Sequence, residues 1–186
     1  MTRIGRWTMI AGLALGSIAF IAPLLAGPPT QGHLIMKSDE GDFIGLGENY
    51  NLRQPPWSVV VWVAPWDQSV TIDFFPPNWP ADSGKWLLRF SMPGGGPLEE
   101  GLYDDVSRWV PAPASEARMW IAGEHRGCNR VSGWFLVRSA EYDDMGWPTY
   151  LDIVFQQHCE LDADAALSGR LRWGHPGKGS TPSARP

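Results

Sequence analysis

The 186-residue chain carries 21 Gly, 17 Pro and 11 Trp against only 19% charged residues, a balance that suits short strands joined by tight turns and disfavours long helices. Its length fits one domain with enough chain to bury a real core. The formal charge is −5, and Arg3 and Arg6 are the only charged side chains before Lys37, so the body is more acidic still. Such a body lacks the clustered cations that phosphate backbones require, and nucleic acid is excluded as a partner.

In chain order, Arg3 and Arg6 precede an apolar stretch from Met9 to Leu25, which reads as an export signal. The best cleavage point follows Ala26, but Leu24 occupies the position where a small residue is preferred, so an uncleaved signal anchor remains the alternative. That segment is the chain's one expected membrane contact, and it places the body in the periplasm or outside the cell. Residues 27–41, with Pro28-Pro29 and Gly32, are expected to form an extended leader, and the folded domain to run from 42 to 173.

Within the body, short apolar runs alternate with turn residues: Phe43–Tyr50, Trp57–Ala64, Val70–Phe75, Trp86–Met92, Leu102–Val110, Arg118–Ala122, Val131–Ser139, Thr149–Cys159 and Ala166–Trp173. Nine or so strands at this spacing predict an all-β, jelly-roll-like antiparallel sandwich. Period-2 alternation turns Val70, Ile72, Phe74, Trp86, Leu88, Phe90, Val131, Phe135, Val137, Leu151, Ile153, Phe155, Leu167, Leu171 and Trp173 inward, with Thr71, Asp73, Arg89 and Ser91 outward. The run Trp57–Ala64 is apolar on both faces and predicts a central strand covered on both sides. The tail, 174–186, has nothing to bury and is expected to be disordered.

Two cysteines in an exported chain predict a disulfide between Cys128 and Cys159. A zinc site from His125, Cys128, His158 and Cys159 is disfavoured, because adjacent strand residues point to opposite faces. Asp104-Asp105, Asp143-Asp144 and Asp162-Ala163-Asp164 lack the alternation of a calcium loop and read as solvated turns. Gly94-Gly95-Gly96 leads into Pro97-Leu98 instead of a helix, so it is no phosphate cradle. No nucleophile elbow, zincin helix or dinucleotide fingerprint is present, and neither a catalytic residue, a metal nor a cofactor is expected.

Arg126-Gly127-Cys128-Asn129, Gly133-Trp134-Phe135, Gln156-Gln157-His158-Cys159-Glu160 and Gly169-Arg170-Leu171-Arg172 form a distinctive series. It resembles a domain of secreted bacterial proteins that carries Arg-Gly-Cys-Asn, a strand, Gln-His-Cys-Glu and a closing Leu-x-Gly-x-Ile/Leu-Arg strand. The match covers Arg126 to Trp173; this chain has His125 where that domain often has a small residue. The resemblance implies the sandwich, export and the disulfide, and it implies no activity. His158 and Glu160 are the polar candidates in the second motif, with bonding to loop backbone as the favoured role.

Tryptophan supplies the remaining candidates. Trp134 and Tyr150 fall on the outward face of late strands, and Trp66, Trp79 and Trp147 lie in loops near Pro. Flat aromatics with polar rims stack on sugar rings, which predicts a non-catalytic envelope or extracellular module binding a glycan or a protein partner. A structural periplasmic accessory domain is the second reading, and a hydrolase using paired carboxylates the third.

Overall fold

The computed structural model of the chain describes residues 31–79, 84–111, 115–160 and 164–175. The expected signal segment (1–26), the first part of the leader and most of the tail lie outside these residues. Twelve strands are found among the described residues and no helix: β1 Gly32–Ser38, β2 Asn49–Arg53, β3 Ser58–Val63, β4 Val70–Phe75, β5 Trp86–Ser91, β6 Gly101–Tyr103, β7 Ser107–Arg108, β8 Arg118–Gly123, β9 Arg126–Gly127, β10 Val131–Tyr142, β11 Pro148–Cys159 and β12 Leu167–Gly174.

They form two sheets. Sheet A has the order β2-β1-β12-β11-β10-β6; sheet B has the order β3-β4-β5-β8-β7, with β9 added to β8. All pairings are antiparallel except β7 with β8. The inner faces meet in one core. Trp86, Phe74 and Phe90 of sheet B and Phe135 and Phe155 of sheet A are fully buried, and Phe90 meets Phe135 edge to face at 5.2 Å between ring centres. Each such side chain contributes on the order of 2–3 kcal/mol of burial. The alternation read from the sequence sets this core, apart from Trp173, which is half-buried against it.

Four expectations are corrected. The leader is in large part a strand: β1 lies between β2 and β12 and buries Leu34 and Met36, so the folded unit includes Gly32–Ser38. Pro28-Pro29 obscured this from the sequence, because the alternation Leu34, Met36, Ser38 starts only after them. Gly32 also serves the packing, since a Cβ there would lie 2.5 Å from Val59 Cγ2 across the sandwich. At the other end β12 extends to Gly174, one residue into the expected tail.

Second, Phe43–Tyr50 is mostly turn. The buried Asp42 carboxylate accepts hydrogen bonds from Ser38 Oγ (2.8 Å), Gly45 N (2.7 Å) and Ile44 N (3.4 Å), which folds the chain back and drives Ile44 into the core. Third, the run Leu102–Val110 is split into β6 and β7, which belong to different sheets. Fourth, Trp57–Ala64 supplies an edge strand, β3, with Val60 48% exposed. Of its outward apolar positions, Trp62 joins a covered outer surface on sheet B. Thr71, Asp73, Arg89 and Ser91 point outward as expected, yet all four are buried.

Candidate functional site

The cover on sheet B is built around Arg89. Its guanidinium is stacked between Trp62 (4.7 Å to the ring centre) and Trp109 (3.8 Å), and Arg89 Nε donates to Thr71 Oγ1 at 2.6 Å. Two buried carboxylates hold the rings. Asp67 accepts from Trp109 Nε1 (3.0 Å), and Asp73 accepts from Trp62 Nε1 (3.3 Å) and from Lys85 Nζ (3.1 Å). Burial pulls the Arg89 guanidinium below its ordinary value, while Asp67 and Asp73 pull the other way; an arginine so placed stays charged. Trp109 follows β7, so the chain after that strand lies back over the sheet that β5 and β8 build.

Beside this stack the outward face opens into a groove of about 330 Å³. Leu87 of β5 and Ala122 of β8 are the outward alternates of their strands and form the floor; Trp79 and Trp120 line it, and Lys85, His125 and Arg126 stand around it. No Asp or Glu lines it among the described residues. Trp79 is 47% exposed and meets Phe75 in an edge-to-face contact at 5.1 Å, which steadies the ring while nearly half of the residue stays open to solvent. Trp120 is half-buried, with Arg108 above its ring at 5.2 Å and Gly127 against its edge.

His125 reaches this rim through an unusual hairpin. The β8–β9 turn holds Glu124 and His125 at φ +51° and +64°, a conformation that two-residue hairpins normally fill with Asn-Gly or Gly-Gly. Each non-Gly residue there costs on the order of 1–2 kcal/mol.

The aromatic candidates named from the sequence are not brought together. Trp134 and Tyr150 do share the outward face of sheet A. Trp134 is tied to Gln156 by an Nε1–Oε1 bond of 3.1 Å, and Tyr150 lies six residues along β11 from Gln156, so the two are separated by about 20 Å. Both are half-buried. Trp66 (56% exposed) and Trp147 (46%) occupy the β3–β4 and β10–β11 turns, at the end of the sandwich away from Cys159, whereas Trp79 lies at the opposite end, on sheet B. Of the five, Trp79 alone lines the sheet B groove. Trp120 and Leu87 were missed, although an apolar residue at the outward alternates of β5 and β8 is the signal that exposes a two-sided strand.

The motif residues converge at one end of the sandwich as a fastening. Cys128 and Cys159 are joined, with 5.1 Å between their Cα atoms. Gln157, fully buried, accepts from Ile121 N at 2.7 Å and donates to Ile121 O at 2.9 Å. His158 Nδ1 lies 3.0 Å from Ala165 O, and Glu160 accepts from Asn129 N at 2.7 Å. Arg126 Nε donates to Ile44 O at 2.8 Å, tying the first motif to the Asp42 turn. In the β10–β11 turn, Asp143 accepts from the backbone N–H groups of Met145 (2.9 Å) and Trp147 (2.8 Å). Among the described residues no three His, Cys, Asp or Glu side chains converge to hold a metal ion, and no helix is long and apolar enough to cross a membrane. No family model, curated protein or solved structure matches the chain.

Proposed function

We propose that the chain is an exported, non-catalytic β-sandwich module that binds an acidic glycan in the groove on sheet B. The observation that carries this reading is the pairing of a half-exposed Trp79 with Trp120 over an apolar floor, under a rim of His125, Arg126 and a Lys85 that Asp73 already holds. A pyranose presents an apolar face to stack on indole and a belt of hydroxyls to meet donors at the rim. The basic rim favours a sugar that bears a carboxylate, which the acidic body would otherwise repel. The disulfide accords with an oxidising, exported setting.

Glycoside hydrolysis by this groove would need two carboxyl groups roughly 5–9.5 Å apart across the sugar, and the described lining offers none. A structural role is the second reading. What favours it is that Arg126, Gln157, His158 and Glu160 each place a side-chain polar atom on a backbone group. Affinity electrophoresis through polygalacturonate, with and without Trp79→Ala, separates the two. The variant is expected to lose retention while its melting temperature moves by no more than a few degrees, since Trp79 is half exposed. Retention unchanged by the substitution, or absent from the parent on any acidic polysaccharide, overturns the groove as a glycan site.

A further inference from the structure

The outward face of sheet A carries a second cavity, of about 480 Å³, at the end away from the disulfide. Its floor is a cross-strand row. Arg53 of β2 stands opposite His33 of β1, and His33 stands opposite Arg172 of β12. Strands in a sheet lie about 4.8 Å apart, so the two arginine backbones are about 10 Å apart, with the imidazole between them. Tyr150 and Gln54 complete the wall.

These two arginines differ from the others of that face. Arg170 makes a two-pronged pair with Asp152 (2.8 and 2.6 Å), and Arg138 approaches the same carboxylate at 3.7 Å. Among the described residues Arg53 and Arg172 form no ion pair, although Asp152 stands opposite Arg172 on β11; Arg53 Nε donates to Asn51 Oδ1 (3.3 Å), and an Arg172 N–H is directed at His33 Nδ1 (3.4 Å). His33 Nε2 in turn meets Asn51 Oδ1 at 2.9 Å. A guanidinium only donates, so the Arg172 contact suits an accepting Nδ1 with the proton on Nε2, the neutral form of His33. Burial, and then Arg53 and Arg172, lower the pKa of His33 against the opposing effect of the Asn51 bond.

We infer that this cavity is an oxyanion site that binds a phosphate group between Arg53 and Arg172, with His33 between them and the Tyr150 hydroxyl at its edge. Forked guanidinium donors match the tetrahedral oxygens of a phosphate, and the two here lack the carboxylate that occupies Arg170. The acids on the neighbouring strands are Asp152, already held by Arg170 and Arg138, and Glu141 beside Tyr150. A bound phosphate places a negative charge beside His33, so binding draws a proton onto Nδ1 and turns Arg172's acceptor into a second donor for the ligand. The phosphate can be a free phosphomonoester or the phosphodiester of a lipid headgroup, and the two are told apart by the probe.

The test is a titration of the full chain with inorganic phosphate and, separately, with glycerophosphoglycerol, following the His33 imidazole resonances by NMR. Saturable shifts with an upward move of the His33 pKa are expected, and the probe that binds tighter names the source. Arg53→Gln with Arg172→Gln is expected to abolish the response at an unchanged melting temperature. Should the double variant fold poorly, each single variant is expected to weaken binding by about tenfold or more. An equal response to chloride at matched ionic strength, no saturable response to either probe, or binding retained in both single variants overturns the site.

Discussion

Replacing Gln157 with Leu isolates one fastening of the sandwich. On its outer edge β8 pairs with β7 through Arg118 and Met119 and with β9 through Ala122 and Gly123, leaving a gap at Ile121. The Gln157 amide reaches across from sheet A and fills it, accepting from Ile121 N and donating to Ile121 O. Leu keeps much of the volume but leaves two backbone groups buried without partners. Each such group costs about 1–3 kcal/mol, so the expected loss is about 2–6 kcal/mol. Urea denaturation with the disulfide intact should show the midpoint falling by on the order of 1–2 M at an unchanged slope. A loss below about 0.5 kcal/mol would refute the reasoning, because it would mean that water or a local shift satisfies Ile121 at no cost.

Other outcomes follow from the same geometry. Gly133→Ala should cost more than about 3 kcal/mol or prevent folding, since Gly133 sits at φ +134° and a Cβ there would collide with Gln156 O; normal expression and an unaltered melting temperature would contradict it. Native protein should show no alkylatable thiol, and reducing Cys128–Cys159, which are 31 residues apart, should remove about 3–4 kcal/mol in the chain-entropy account, measured by denaturation with and without reductant. Tyr142, whose hydroxyl accepts from Leu98 N at 2.8 Å, has its pKa pushed up to about 12 by burial. A folded-state pKa above the unfolded value means that stability is held below pH 10 and lost as pH rises toward 12, by on the order of 1–2 kcal/mol after allowing for partial exposure. A flat stability profile over that interval, with all four tyrosines ionising together in an absorbance titration, would contradict it.

The core was legible because alternation is a local signal. Val70, Ile72 and Phe74, or Leu151, Ile153 and Phe155, reach the interior whatever the strand order, and all six are fully buried. Strand order is a different matter. Nothing within Trp57–Ala64 distinguishes a central strand from an edge strand that lies beside a stacked arginine. Likewise Gly32–Ser38 has seven residues of ordinary strand sequence, and only its pairing with β2 and β12 makes it central. The two motifs were legible as a unit, but the partners of Gln157 and Arg126 lie 36 and 82 residues away in sequence, a separation no local pattern encodes.

The candidate sites were hidden for a related reason. On sheet B tryptophan is chiefly the covering of a buried charge: Trp62 and Trp109 enclose Arg89, and Asp67 and Asp73 fix the rings. That arrangement explains why Thr71, Asp73 and Arg89 lie on an outward face yet stay dry, and why Trp109 was not recognisable as a lid from its neighbours in sequence. A ring set against Arg89 is not free to stack on a sugar. Trp79 and Trp120 stand outside that stack, Trp79 half exposed, so their groove, and not the total of exposed aromatics, is where recognition by stacking has room to occur.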